Sequence, residues 1–382
     1  MRDAEIPGGT AAVTPGGTAA VTPGGTAAVT PGGTAAVTPG GTAAATPDYT
    51  IVIPTIGRAG LANVLAAVNR PGGVPPAEIV VVDDRPQAGR SDAVEPLSLP
   101  PSEIPVRVVR SGGRGPAAAR NAGWRAAESE WIAFLDDDVV PSPEWRTRLA
   151  EDLRDLPGDV AGSQARLWVP LPAGRRPTDA ERGTAALAGA RWITADMAYR
   201  RAVLAELGGF DERFRRAYRE DSDFALRVVR TGRHIISGSR VTTHPPATGS
   251  LLSSLRAQAG NADNALMRRK FGRTWRDDIG EGSGRLGTHA AVSAAGVAAA
   301  VFAVRRRRAA ALACAGLWLA GTAEFAARRI GQGPATVREV GAMTLTSVLI
   351  PPAACWHRLR GEWQVARGTR RPVPDGSEAG HE

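Results

Sequence analysis

A chain of 382 residues has room for one large core and something beside it. Its formal net charge of +9 comes from arginine almost alone, Lys270 being the single lysine, and such a surface suits nucleic acid, anionic lipid or a phosphorylated substrate. The two cysteines, Cys314 and Cys355, both lie in the last quarter, which excludes a disulfide framework for the main domain and a cysteine-based zinc site within it. The Ala, Arg and Gly richness is also what coding bias produces, so it names no partner by itself, and nucleic acid is not expected as one.

In chain order the first stretch is a repeat. The octapeptide Pro-Gly-Gly-Thr-Ala-Ala-Val-Thr starts at Pro7, Pro15, Pro23 and Pro31, with an Ala-for-Val copy from Pro39. Its period is too short for a helical or propeller repeat, and Pro with Gly-Gly in every copy opposes both helix and packed sheet. Residues 1–47 are expected to be a disordered tail without chemistry. Met1 leads into this repeat rather than an apolar segment, so no cleavable signal peptide is expected.

From Tyr49 the texture changes. Residues 49–54, 78–82, 106–109 and 131–135 read as apolar strands, with helical stretches at 59–69 and 116–128, the latter with Pro116 in its first turn. Strands without polar alternation, separated by helices, predict a mostly parallel α/β sheet covered on both faces. Ligands of such sheets bind outside the carboxyl ends of the strands. Here those ends carry Pro54 and Thr55, then Asp83 and Asp84, then Ser111 with Gly112, Gly113 and Arg114, then Asp136, Asp137 and Asp138. Three consecutive carboxylates after a buried strand repel one another and resist desolvation, at a cost of several kcal/mol unless a divalent cation or other partners neutralise them.

Residues 281–360 form an Ala- and Arg-rich apolar region, followed by a polar tail at 361–382. The runs 288–304 and 309–327, separated by Arg305, Arg306, Arg307 and Arg308, approach the ~20 residues that cross a bilayer. A weaker run at 340–355 is interrupted by Pro351 and Pro352. If the main domain is cytoplasmic and 288–304 spans, the four arginines emerge outside, against the positive-inside tendency. A helical hairpin lying in the interface, its arginines on lipid phosphates, avoids that conflict. Association with the cytoplasmic face of the cell membrane is expected, with a soluble helical cap as the alternative.

Two motifs compete for a nucleotide. Gly113, Gly115 and Ala118 match G-x-G-x-x-A between a strand and a helix, as a dinucleotide fingerprint does. That fingerprint expects one acid on a ribose and the first strand of the sheet, whereas this chain offers three acids and the third strand. The second reading takes the motifs together. From Tyr49 to about His244 the chain resembles the family 2 glycosyltransferases of the GT-A fold. Ile53, Pro54, Thr55 and Arg58 look like the family's opening strand and loop, and residues 80–84 like the second strand, whose terminal acid Asp84 faces the nucleotide base. Residues 115–123, with Arg120, Asn121 and Gly123, are similar to the donor-side helix, and Phe134 to Asp138 match the D-x-D element. Residues 198–201 and 208–212 match the acceptor-side segment, Glu220 and Asp221 the acidic helix that carries the base, and residues 241–244 the strand whose histidine completes a metal shell.

The resemblance implies a GT-A-type, Rossmann-like sheet flanked by helices at 48–280, and an inverting transfer from a nucleotide-diphosphate sugar. The lack of a Gln-x-x-Arg-Trp element after the acidic helix argues against a processive synthase. It assigns Asp138 and His244 to a divalent metal, Mn²⁺ or Mg²⁺, and Asp221 with Glu220 to catalysis. Oxygen ligands suit either ion, and Mn²⁺ better tolerates an added imidazole. Pro54, Thr55, Arg58, Asp84, Arg114, Asn121, Asp136 and Asp137 are the expected donor-binding set. Arg114 and Arg120 offer guanidinium forks to a diphosphate, or are solvated helix residues. Trp192 and Asp196 are candidates for an acceptor or sugar wall, Trp192 with an apolar face. Thr194, Ala195 and Asp196 stand where family members often carry Gly-Ala-Asn, which leaves the sugar open. Trp124, Trp131 and Trp145 read as core. The expected acceptor is a cell-envelope lipid or glycan. The alternatives are a nucleotidyltransferase that makes a sugar nucleotide and a non-catalytic, membrane-bound glycan-binding scaffold.

Overall fold

The structure, a computed structural model, describes residues 46–86 and 95–368. Nearly all of the N-terminal repeat and most of the expected polar tail lie outside the described residues. The chain forms β1 (Tyr49–Thr55), α1 (Gly60–Val68), β2 (Ile79–Asp83), β3 (Val106–Arg110), α2 (Pro116–Ala126) and β4 (Trp131–Leu135). Next come β5 (Val140–Pro141), α3 (Trp145–Leu153), β6 (Val160–Trp168), α4 (Asp179–Ala185), β7 (Asp196–Arg200), α5 (Arg201–Glu206), α6 (Glu220–Arg230) and β8 (His234–Thr243). Helices follow to the end: α7 (Ser253–Ala257), α8 (Asn261–Phe271), α9 (Trp275–Asp278), α10 (Leu286–Val304), α11 (Arg308–Gln332) and α12 (Val337–Ala366).

The strands make one sheet in the order β3-β2-β1-β4-β7-β6-β8-β5. Its first half, β3-β2-β1-β4, is parallel throughout. Beyond it β7 runs antiparallel to both β4 and β6, while β6 and β8 pair parallel. The sheet is therefore parallel where the sequence pattern was read and mixed past β4. Strand β7 is nearly as continuously buried as β1, so its residue pattern carries no mark of direction.

Successive side chains of each strand face opposite sides. Val52, Val80, Val82 and Phe134 pack under α2 and α6, whereas Ile51, Ile53, Val81, Ala133 and Leu135 pack against α1 and α3. Each of these side chains larger than alanine contributes roughly 1.5–3 kcal/mol by leaving water, and together they fix the carboxyl ends of β1, β2 and β4 along one edge.

A buried ion network holds the mixed half. Arg240 on β8 is fully buried and donates to Asp196 (Nε–Oδ1 2.8 Å), Asp152 (3.0 Å) and both oxygens of Ser163. Asp196 also accepts from Trp145 Nε1 at 2.6 Å and from Thr242. Its carboxylate is thus saturated inside the protein and does not face a ligand.

Helices α10 and α11 form a hairpin whose apolar surfaces are left uncovered: of the most apolar 18-residue window in each, 11% and 6% of residues are buried. Glu324, the acid inside the second apolar run, is paired with Arg285 and Arg328. Arg329 anchors the base of the hairpin to the main domain, donating to Asp179 on α4, Ser254 on α7 and the hydroxyls of Thr346 and Ser347 on α12. Helix α12 does not break at Pro351 and Pro352 and continues to Ala366, past the expected start of the polar tail. Two prolines remove only two backbone donors, and packing holds the helix on both sides of them: Thr346 and Ser347 are buried against Arg329 before them, and after them α12 lies close on α8, where a Cβ on Gly361 would lie 2.6 Å from Ala262.

Candidate functional site

The four parallel strand ends open into a cleft of about 1090 Å³. Pro54, Thr55, Arg58, Asp84, Asp136, Asp137, Asp138, Glu220, Asp221 and His244 all line it, so ten of the fourteen residues expected from sequence meet there.

The acidic triplet separates into three environments. Asp137 is buried, accepting from Thr55 Oγ1 at 2.6 Å and Arg58 Nη1 at 2.9 Å, so it ties the β4 end to the β1 loop. Asp136 accepts from Arg120 Nη2 at 2.7 Å. Asp138 is the most open of the three; its side chain is 42% exposed, Oδ2 takes Arg58 at 3.0 Å and Oδ1 lies 3.8 Å from His244 Nε2. Desolvation, then repulsion from Asp136, pushes the Asp138 carboxyl up, against the pull of His244 and Arg58.

Glu220 and Asp221 form the facing wall, at the first turn of α6. Arg120, itself buried, spans the gap: Nη1 donates to Glu220 Oε1 at 2.8 Å while Nη2 holds Asp136. Burial and the neighbouring Asp221 push Glu220 up to about 8 despite that ion pair. Burial also raises Asp221, whose Oδ1 is fixed by Ser222 N at 2.6 Å. Of the two acids, Asp221 is the one with surface toward the cleft.

Asp84 organises the third strand end. Its Oδ1 accepts from Ser111 Oγ at 2.7 Å and Arg114 N at 3.0 Å, and its Oδ2 from Gly115 N at 2.9 Å. Gly115 has φ +98°, and a Cβ there would lie 2.7 Å from the Arg215 carbonyl oxygen, so only glycine lets α2 start against the 213–219 loop.

Arg114, Asn121, Trp192 and Asp196 are absent from the described lining of the cleft. Asn121 is buried with both ends of its amide used: Nδ2 donates to Phe210 O and Glu212, and Oδ1 accepts from Phe210 N and Trp124 Nε1. It pins the Gly208–Gly209 turn to α2, and a Cβ on Gly209 would lie 2.3 Å from its Oδ1. Arg114 turns to Ser111 O and Glu212. Trp192 is packed in the core below the cleft. The lining instead includes Arg120, Arg191, Arg215, Arg216, Tyr218, Arg219 and Glu281. Of these only Arg120 carried a sequence signal, through its place in the donor-side helix motif.

The donor set fits a divalent cation. His244 Nδ1 lies 3.0 Å from the Pro245 carbonyl oxygen, which can only accept, and Nε2, 3.8 Å from Asp138 Oδ1, is the ring nitrogen that a cation beside Asp138 would meet. Among the described residues no third acid, histidine or cysteine completes a cluster with them. One carboxylate and one imidazole leave most positions of an octahedral ion to phosphate oxygens and water, as Mg²⁺ and Mn²⁺ accept.

A parallel β3-β2-β1-β4 half with its acids at the β4 end, joined to a mixed half, is a sheet of the GT-A type. Residues 50–219, somewhat under half of the chain, match the family model described as Glycosyl transferase family 2. It is 33% identical over 100 residues to the pre-mycofactocin glycosyltransferase of Mycobacterium tuberculosis, covering 26% of this chain and 19% of the relative. It is 39% identical over 88 residues to succinoglycan biosynthesis protein ExoO of Rhizobium meliloti, covering 23% of each. The matched stretch thus spans less than a quarter of these relatives. Among solved structures, a mannosyltransferase from Pyrobaculum calidifontis in complex with GDP-Man and Mn²⁺ aligns at 16% identity and a TM-score of 0.46, over 84% of this chain and 88% of that one.

Proposed function

We propose that this enzyme transfers a sugar from a nucleotide-diphosphate donor to a hydroxyl of a cell-envelope lipid or glycan, with inversion. The observation that carries the reading is the pairing of two acidic stations across one cleft, Asp138 with His244 on one side and Glu220 with Asp221 on the other, with Arg120 bridging Glu220 to Asp136 of the same acidic triplet. Asp138 and His244 would hold a divalent cation, which supplies charge neutralisation for the departing diphosphate. Asp221 takes the proton of the acceptor hydroxyl as that oxygen attacks the anomeric carbon. One displacement from the face opposite the leaving group inverts that carbon. Asp84 and the Asp136 side of the triplet orient the nucleoside, and the exposed Arg215 and Arg216 on the rim add positive charge toward the diphosphate.

The test is nucleoside diphosphate release from a panel of UDP-, GDP-, CDP- and dTDP-sugars with and without Mn²⁺. Metal-dependent release from one donor is expected, and no release from any of them in either condition would overturn the reading.

The α10–α11 hairpin supports membrane association, since its two helices are 19 and 25 residues long, with mean hydropathies of 1.6 and 1.4 over their most apolar 18 residues, and stand largely uncovered. The full-length protein is expected to stay with the membrane pellet through high salt and to leave it only in detergent. Complete release by salt alone would show that no apolar helix is inserted.

A further inference from the structure

Glu220 and Asp221 owe their aim into the cleft to the residue before them. Arg219 caps α6 with φ +81°, a left-handed conformation that a side chain larger than glycine rarely holds unless its surroundings impose it. The surroundings here are explicit. Glu281 receives the guanidinium as a two-bond fork, Nη1 to Oε1 at 2.6 Å and Nη2 to Oε2 at 2.7 Å. Nε donates to Asn264 Oδ1 at 3.0 Å and Nη2 also donates to the Tyr218 hydroxyl at 2.8 Å. The guanidinium lies 4.4 Å from the Tyr218 ring centroid and 4.8 Å from that of Trp275. Arg219 is 6% exposed, so these contacts replace its hydration rather than decorate a surface.

Glu281 is the unusual partner. It belongs to the short connection between α9 and α10, far outside the family-matched segment, which ends at residue 219. Ile279, Gly280 and Glu281 nevertheless line the same cleft as Asp221. Arg276 Nη1 donates to Glu281 Oε2 at 2.9 Å and holds the carboxylate from its other side.

We infer that Glu281 is a positioning residue for the transfer: through its fork on Arg219 it fixes the left-handed turn that presents Asp221 to the acceptor hydroxyl. The connection that leads into the apolar hairpin is thereby part of the active site. The inference rests on Asp221 being the base, and the experiment separates the two.

In the full-length, detergent-solubilised enzyme, Glu281→Gln keeps the shape and removes the charge. Its kcat, read as nucleoside diphosphate release from the same donor panel with Mn²⁺, is expected to fall about ten- to a hundredfold, the loss typical of a misplaced reacting group. Donor KM is expected to stay within about twofold, since the Asp84 and Asp136 side of the cleft is untouched. Combined with Asp221→Asn, Glu281→Gln is expected to cost nothing further, because it acts only through that carboxylate. Unchanged kcat in folded Glu281→Gln, or losses that multiply in the double variant, would overturn the positioning role. Asp221→Asn with full activity would instead remove the base assignment beneath it. Should Glu281→Gln not fold, Glu281→Asp keeps the charge on a shorter arm; a loss of kcat at unchanged donor KM supports the role, and full activity overturns it.

Discussion

Asp221→Asn is expected to lower kcat about 10²–10⁴-fold, the range that a positioned general base contributes, while leaving donor KM nearly unchanged. The substitution is close to isosteric and keeps an oxygen for the Ser222 N–H that orients the side chain. It removes only the ability to accept a proton. Loss of kcat without loss of donor affinity therefore isolates the chemical step from binding on the opposite wall. The pH dependence follows from the same geometry. Burial raises Asp221 above the ordinary carboxylate range, and a raised base is protonated at higher pH than a free one. The rate is thus fully present above that pKa and is lost as pH falls through it, so the acidic limb of kcat should lie above the usual range for aspartate. The limb should vanish in Asp221→Asn, whose residual rate is flat across it. An unchanged limb in the variant would assign the titration, and the base, to another group.

Three strands of the parallel half, β1, β2 and β4, were legible because they are buried on both faces: strands such as 131–135 show uninterrupted apolar runs, and the carboxyl ends show acids where side chains line the cleft instead of the core. Direction past β4 was not legible, since β7 is also buried on both faces and an apolar run has no polarity. The same limit explains the misplaced candidates. Asp196 and Asp136 are both aspartates at strand ends, and only the position of Arg240, 44 residues later in the chain, decides that one faces the core. Asn121 sits in a motif that resembles a donor-binding helix, yet three of its four bonds are spent on a turn some 90 residues away and the fourth on Trp124. Glu281 and Arg219, 62 residues apart, carry no spacing signal at all. Helix α12 passes Pro351 and Pro352 for a related reason, because packing along its flank outweighs two missing backbone donors.

Asp138→Ala is expected to reduce kcat about 10³-fold at a fixed low Mn²⁺ concentration, with part of the rate restored as Mn²⁺ is raised. The size follows from the several kcal/mol of charge stabilisation that a bound divalent ion supplies to a departing diphosphate, together with the small donor set. With Asp138 and His244 as the proposed ligands among the described residues, losing the carboxylate of that pair removes most of the affinity for the ion. His244→Ala keeps the carboxylate and should show a smaller loss, about ten- to a hundredfold, as for partners that tune a metal site. Stability is expected to move the other way. Asp138 is held above its ordinary pKa by desolvation and by Asp136, so its ionised form disfavours the fold when no cation is present. The melting temperature of metal-free Asp138→Ala should therefore equal or exceed that of the parent, and added Mn²⁺ should raise the parent's melting temperature more than the variant's. A variant that melts lower, binds Mn²⁺ as tightly as the parent and keeps its rate would place the ion, or the role of this carboxylate, elsewhere in the cleft.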